Sequence, residues 1–136
     1  MLFVLDSNEY IFSLGAVRKQ SCEILLDKIV SSFPQNTVRI PRMITEEVKR
    51  NISPAAFKEF IGLANILTNI DEDFMIPFEL GAKYESWGLK PADAFIAAYV
   101  EWAGAEILVS ENRHFLSRHK NLSFKILDAE SCLQLL

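Results

Sequence analysis

Short apolar runs alternate along the chain with longer segments in which apolar residues recur at helical spacing. The short runs predict buried strands over residues 2–5, 37–40, 106–109 and 124–127. Helical spacing predicts helices over residues 17–32, 77–87 and 91–103, and further helices after Pro41, Ser53 and Asp128. Strands joined by helices lie parallel in a sheet whose faces the helices cover. The pattern therefore predicts an α/β domain with a mainly parallel sheet.

Residues that start and stop helices mark several of these boundaries. Ser53 and Pro54 are a typical N-cap and first helical residue, and Pro91 and Gly104 enclose the most apolar segment. Directly after the first strand, Asp6 predicts a turn or a helix cap.

Length and composition limit the classes of protein that fit this chain. With 136 residues, 50% hydrophobic and 24% charged, we expect one folded domain over residues 1–136. No apolar stretch approaches the roughly 20 residues that span a bilayer, and an early acid argues against a signal peptide. We therefore expect a cytoplasmic protein with no membrane contact. The net charge of −4 gives no general attraction for nucleic acid, so any contact with phosphodiesters must be local.

Acidic residues are placed where the predicted strands end. In open parallel sheets, ligands bind in the crevice beyond the carboxyl ends of the strands. Four separate stretches of the chain bring acids to that edge. The acids are Asp6, Glu46, Glu47, Asp93 and Glu111, the last followed by Asn112.

Each of these acids also has an ordinary structural explanation. Asp6 is suited to cap the helix that follows it. Glu46 and Glu47 suit a solvated first turn, where the helix dipole favours acids, and Asp93 lies near the third position of its own helix. Glu111 and Asn112 are typical of a turn.

Two details favour a shared site. A rotation of about 100° per residue turns Glu46 away from the apolar face of its helix and leaves Glu47 beside that face. Asp93 is the single charge in a stretch of helix that is otherwise apolar, and a carboxylate there is costly unless a cation neutralises it. Converging carboxylates repel one another, and Mg²⁺ or Mn²⁺ would relieve that repulsion because these ions prefer oxygen ligands.

Other metals and other catalytic motifs have less support. His114 and His119 are five residues apart and do not share a helical face, and neither Cys22 nor Cys132 has a nearby ligand partner in the sequence. With two cysteines we expect neither a disulfide framework nor a zinc cluster. The chain has no glycine-rich phosphate loop and no G-x-S-x-G motif.

Four motifs resemble those of the PIN-domain family, and within it the toxin ribonucleases of the VapC type. They occur in the family's order and at similar spacing, and they span nearly the whole chain. They are LDSN at residues 5–8, EV at 47–48, PADAFIAA at 91–98 and ILVSENRHF at 107–115.

The resemblance implies a PIN-like three-layer α/β/α sandwich and an Mg²⁺ or Mn²⁺ site on Asp6, Glu47 and Asp93. It implies an endoribonuclease that is the toxin of a type II toxin–antitoxin pair, with a cognate antitoxin as partner. Many relatives have an aspartate where this chain has Asn112, so the fourth metal ligand is either Glu111 or Asn112.

Several further residues are assigned supporting roles. Asn8 and Ser110 are placed to orient the metal ligands. Basic side chains near the acids are candidates for binding RNA phosphates, although a solvated basic face is the ordinary explanation. These candidates are Arg42, Arg113, His114, Arg118 and Lys120. The acids of residues 71–73 are expected to form only a solvated turn.

The apolar composition of the chain bears on its partners. The large apolar share, with ten phenylalanines, predicts surface that a partner covers, and we expect a homodimer. One alternative is a non-catalytic PIN-like module that binds RNA or protein. Another is a receiver-like signalling domain, which would require an acidic pair at the end of the first strand, where this chain has Asp6 alone.

Overall fold

The computed structural model describes residues 1–112 and 121–136. The strands are β1 (Leu2–Leu5), β2 (Thr37–Val38), β3 (Ile107–Val109) and β4 (Lys125–Leu127). The helices are α1 (Ser7–Leu14), α2 (Gln20–Ser32), α3 (Arg42–Asn51), α4 (Pro54–Leu67), α5 (Phe78–Ser86), α6 (Pro91–Ala103) and α7 (Ala129–Leu133). A short 3-10 turn lies at Asp73–Met75.

The four strands form one sheet in the order β2-β1-β3-β4, and every pair is parallel. Leu5 pairs with Val109, so β1 and β3 end side by side. Helices connect β1 to β2 and β2 to β3, and the parallel sheet with its helices confirms the predicted α/β class and the PIN-like α/β/α sandwich. Because all strands run in one direction, the residues after β1 and β3 emerge at the same edge.

The most apolar helix lies at the centre of the core. In α6, Ala97, Ala98, Tyr99 and Val100 are fully buried. The helix ends at Gly104, whose φ of 70° is in the left-handed region that favours glycine. The predicted span of this helix is confirmed, as is the Ser53 cap of α4, whose side chain accepts a hydrogen bond from the Ala56 N–H.

Several boundaries differ from the prediction. Of the two alternatives predicted after the first strand, the structure has the helix cap, with Asp6 as the N-cap of α1. The next helix begins at Gln20 rather than at residue 17, because Val17 is 75% exposed and contributes nothing to the buried face. The second strand has two residues rather than four. Beyond it, Pro41 forms an isolated parallel bridge with Asp71.

Residues 71–73 do not form a solvated turn, so that prediction is wrong. Asp71 forms a two-pronged ion pair with Arg39, and Glu72 forms another with Arg42. The side chain of Asp73 accepts a hydrogen bond from the Met43 N–H at 3.0 Å. All three acids therefore anchor this segment to the start of α3.

Within the part of the chain that the structure describes, no helix combines the length and the apolar character needed to cross a membrane.

Candidate functional site

Asp6 is held in place at the point where β1 and β3 end. Its Oδ1 accepts a hydrogen bond from the Ser7 N–H at 2.8 Å, as an N-cap does. Its Oδ2 accepts another from the Ser110 hydroxyl at 3.0 Å. Ser110 itself is buried and directly follows β3. The ordinary explanation for Asp6 is therefore correct, and the same contacts fix the direction of its carboxylate.

Asp93 is within electrostatic reach of Asp6. It is half-buried near the start of α6. Burial and the negative charge of Asp6 raise the pKa of the Asp93 carboxyl above its usual value, and Lys90 opposes this rise in part. The two carboxylates therefore interact unfavourably, and a nearby cation would stabilise both.

The two glutamates of α3 differ as the helical phase predicts. Glu46 is exposed, whereas Glu47 is half-buried next to the buried Val48. Helix α3 packs against α1, the helix that Asp6 caps. Glu47 therefore lies on the partly covered side of α3. We call Asp6, Glu47 and Asp93 the carboxylate edge.

The supporting residues are placed as follows. Asn8 is half-buried in the first turn of α1, and Asn112 is exposed, with its N–H donating to the Ser110 hydroxyl at 3.2 Å. The guanidinium of Arg42 is 2.8 Å from Glu72, so it is already paired with a protein carboxylate. The remaining candidates for binding phosphate lie outside the described residues: Arg113, His114, Arg118 and Lys120.

Glu111 is directed into a different group of side chains. Its Oε1 is 3.3 Å from the Cys22 sulfur, and its Oε2 is 3.2 Å from the Lys19 ammonium. The Cys22 sulfur is also 2.9 Å from Oε2 of Glu9. The expectation that Cys22 has no nearby ligand partner is therefore wrong, because α1, α2 and the second residue after β3 converge on it. We call Glu9, Cys22 and Glu111 the buried cluster.

The buried cluster is tighter than the carboxylate edge. Among the residues that the structure describes, the potential ligand atoms of Glu9, Cys22 and Glu111 all lie within 4.8 Å of one another. Within those same residues, Asp6, Glu47 and Asp93 do not form a group of three this compact.

Burial dominates the electrostatics of the cluster. It raises the pKa of the Glu9 carboxyl to about 8; the Cys22 hydrogen bond opposes this, and the charges of Glu111 and Asp6 add to it. Burial and the adjacent carboxylates also raise the pKa of the Cys22 thiol. The hydrogen bond to Glu111 raises the pKa of the Lys19 ammonium. Because its pKa is raised to about 8, Glu9 is mostly protonated at neutral pH.

The sequence analysis missed Glu9. With Asp6 at the cap, Glu9 occupies the third helical position, which is typical of a capping box at a helix surface. In a capping box Glu9 would accept from the Asp6 N–H, but that N–H donates to the Val109 carbonyl at 2.9 Å. A usable signal was present, because Glu9 is one helical turn before Ser13 and both lie on the buried face of α1.

Comparisons with known proteins give a fold and no family. No protein-family model and no curated protein matches the chain. Among solved structures, the chain is similar to VapBC2 from Rickettsia felis bound to a DNA fragment from their promoter, with 19% identity and a TM-score of 0.62. It is also similar to FitAcB from Neisseria gonorrhoeae, with 11% identity and a TM-score of 0.61. Each match covers 94% of this chain and 98% of the other.

These findings correct the family assignment made from the motifs. The chain is not assigned to the PIN-domain family or to its VapC-type toxins, since no family model matches it. The two structural neighbours are toxin–antitoxin complexes, and at this level of identity they establish the fold alone. They do not assign the chain to the toxin or to the antitoxin component.

Proposed function

We propose that this chain is a Mg²⁺- or Mn²⁺-dependent endoribonuclease that works in a toxin–antitoxin pair. The observation that carries the proposal is the position of Asp6 where β1 and β3 end, with its carboxylate held by Ser110. Burial and, after it, the negative charge of Asp6 raise the pKa of the Asp93 carboxyl. The toxin–antitoxin setting is supported by the fold shared with VapBC2 and FitAcB.

The residues of the carboxylate edge suit a hard divalent cation. Their donors are all carboxylate oxygens, which Mg²⁺ and Mn²⁺ prefer. When bound, such an ion lowers the pKa of a coordinated water and stabilises negative charge on the attacked phosphate. Asp6 and Asp93 supply the charge that holds the ion, and Ser110 keeps the Asp6 carboxylate from rotating. Glu47 is the third ligand that we propose.

The fourth ligand is Asn112 rather than Glu111. Both oxygens of Glu111 already have partners, since Oε2 contacts the Lys19 ammonium and Oε1 contacts the Cys22 sulfur. The side chain of Asn112 offers a neutral carbonyl oxygen, and its backbone contacts the same serine that holds Asp6. We therefore expect one ion to bind tightly, and a second to bind weakly or together with the substrate.

Binding of RNA requires local positive charge, since the chain has a net charge of −4. We propose that Arg113, His114, Arg118 and Lys120 contact the phosphates. Arg42 belongs to this group only if RNA displaces it from Glu72, to which it is hydrogen-bonded.

We also propose a cognate antitoxin protein as a partner and self-association as a homodimer. The support is exposed apolar surface near α5, where Phe74 and Phe78 are 83% and 85% exposed. Sedimentation at micromolar concentration measures this directly. A dimer in the wild type that Phe78→Ser converts to a monomer supports the proposal, and a wild-type monomer contradicts it.

The nuclease activity is tested by cleavage of a mixed RNA pool with Mg²⁺ or Mn²⁺, and with EDTA as the metal-free reference. We expect cleavage that EDTA abolishes and that Asp6→Asn reduces by orders of magnitude. Glu46→Gln is the matched control, because Glu46 is exposed and is directed away from the edge. Equal cleavage by wild type and Asp6→Asn would refute the proposed site. RNA binding without any cleavage would instead indicate the non-catalytic module.

A further inference from the structure

The buried cluster contains an orphaned polar atom. Glu9 is 2% exposed, and its carboxylate points at the Cys22 sulfur through Oε2. Among the described residues, its other oxygen, Oε1, has no hydrogen-bond partner. An unsatisfied buried carboxylate oxygen costs free energy, so native proteins usually give it a donor, a water or a cation.

In the metal-free cluster, the proton of Glu9 and the thiol hydrogen of Cys22 are the hydrogens available for bonds among the three side chains. The Cys22 sulfur is 2.9 Å from Glu9 and 3.3 Å from Glu111, but a thiol carries one hydrogen. It can donate to one of these oxygens and not to both. A divalent cation would bind the sulfur and both carboxylates at the same time.

The donor set determines which cation fits. Thiolate together with carboxylate is a ligand set for Zn²⁺, whereas Mg²⁺ and Ca²⁺ prefer oxygen donors alone. In a tetrahedral zinc site with bonds of 2.0–2.3 Å, neighbouring ligand atoms are about 3.5 Å apart. The two S–O separations of 2.9 and 3.3 Å need to open by only a few tenths of an ångström.

Charge also balances around such an ion. A Cys22 thiolate and two carboxylates contribute three negative charges, and Zn²⁺ neutralises two of them. The Lys19 ammonium, 3.2 Å from Oε2 of Glu111, neutralises the third. It contacts the oxygen on the other side of that carboxylate and leaves Oε1 for the metal.

We propose that Glu9, Cys22 and Glu111 bind one Zn²⁺ ion, with water as the fourth ligand. The ion joins α1 and α2 to the residue that follows Ser110. It is separate from the Mg²⁺ or Mn²⁺ proposed for the carboxylate edge, and it rests on different side chains. Its role is to hold the end of β3 against the two helices.

The test is a binding measurement without RNA, so its result does not depend on nuclease activity. The purified protein is stripped with a chelator, and Zn²⁺ is titrated against a competing chromophoric chelator in millimolar Mg²⁺. We expect one Zn²⁺ per chain, with affinity reduced at least about 100-fold in Cys22→Ala and strongly in Glu9→Gln. Cys132→Ala is the matched control, because Cys132 is the other buried cysteine and is outside the cluster.

Cobalt substitution identifies the ligands. Co²⁺ bound to a thiolate has a sulfur-to-metal charge-transfer band in the near ultraviolet, which wild type and Cys132→Ala should show and Cys22→Ala should lack. A folded Glu111→Gln variant with wild-type circular dichroism should bind Zn²⁺ more weakly. The proposal is overturned if Zn²⁺ does not bind, if millimolar Mg²⁺ displaces it, or if Cys22→Ala retains full affinity.

Discussion

The carboxylate edge and the buried cluster begin within one turn of the same helix and differ in almost every other respect. Asp6, at the cap of α1, is half-buried and held by N–H and hydroxyl donors. Glu9, three residues later, is inside the protein beside a thiol and a second carboxylate. The cap position keeps Asp6 at the surface, and the rotation of the helix turns Glu9 toward α2.

The difference lies in the donor atoms that each group offers and in its access to water. The carboxylate edge offers oxygen alone and is partly open to water, which suits an ion that retains its own waters and meets a substrate. The buried cluster adds sulfur and a paired lysine, with Glu9 and Cys22 buried and Glu111 only partly exposed, which suits a softer ion such as Zn²⁺. Glu111 is adjacent in sequence to Asn112, but its carboxylate belongs to the buried cluster.

The largest expected effect is a loss of RNA cleavage when Glu47, but not Glu46, of α3 is changed. Glu47→Gln should reduce metal-dependent RNA cleavage by at least about 100-fold, because removal of a ligand costs more than loss of a supporting residue. Glu46→Gln should leave cleavage unchanged and alter the free energy of unfolding by no more than about 0.5 kcal/mol. Single-turnover experiments measure the cleavage rate of each variant, and urea unfolding measures its free energy of unfolding. An inactive Glu46→Gln with an active Glu47→Gln would show that the assigned helix face is wrong.

The second effect is a pH dependence specific to the buried cluster. The pKa of Glu9 is raised from 4.5 to about 8, so its contribution to stability is fully present below about pH 4.5. That contribution is lost as pH rises from about 4.5 through about 8, at up to about 1.4 kcal/mol per pH unit. In metal-free protein, Glu9→Gln should flatten this decline.

Urea unfolding in EDTA between pH 5 and pH 9 tests this expectation. Asp27→Asn is a suitable control, since Asp27 is exposed on the same helix as Cys22. A wild-type decline that Glu9→Gln leaves unchanged would assign the pH dependence to another group.

The third effect concerns the serine that holds Asp6. Ser110→Ala removes the donor to Oδ2 of Asp6 and leaves the proposed ligand free to rotate. The Mg²⁺ concentration that gives half-maximal cleavage should rise about 10- to 100-fold, with little change in the rate at saturating Mg²⁺. A lower maximal rate at an unchanged Mg²⁺ requirement would contradict a positioning role for Ser110.

The smallest expected effect on cleavage comes from Glu111 and Asn112, the adjacent residues that follow Ser110. Asn112→Asp adds a charged ligand to the carboxylate edge, so it should tighten the second ion and raise cleavage a few-fold at low Mg²⁺. Glu111→Gln should reduce Mg²⁺-dependent cleavage less than loss of Asp6, Glu47 or Asp93. Calorimetry that finds two equally tight Mg²⁺ ions in the free wild-type protein would contradict both expectations.

The sequence by itself determined the features that depend on local structure. Four short apolar runs became four parallel strands, and the proline and glycine around α6 marked its ends. The different exposure of Glu46 and Glu47 followed from the rotation of a single helix. Such features are predictable because backbone geometry, capping and periodicity act over a few residues.

The tertiary structure alone decided the contacts between distant segments. Cys22 meets Glu9 and Glu111 across 13 and 89 positions of sequence, and Arg39 meets Asp71 across 32. No local pattern encodes these pairs, because they arise when β1 lies next to β3 and α1 packs on α2. The assembly of the buried cluster could therefore not be predicted from the sequence, since its ligands come together only when the sheet and its helices pack.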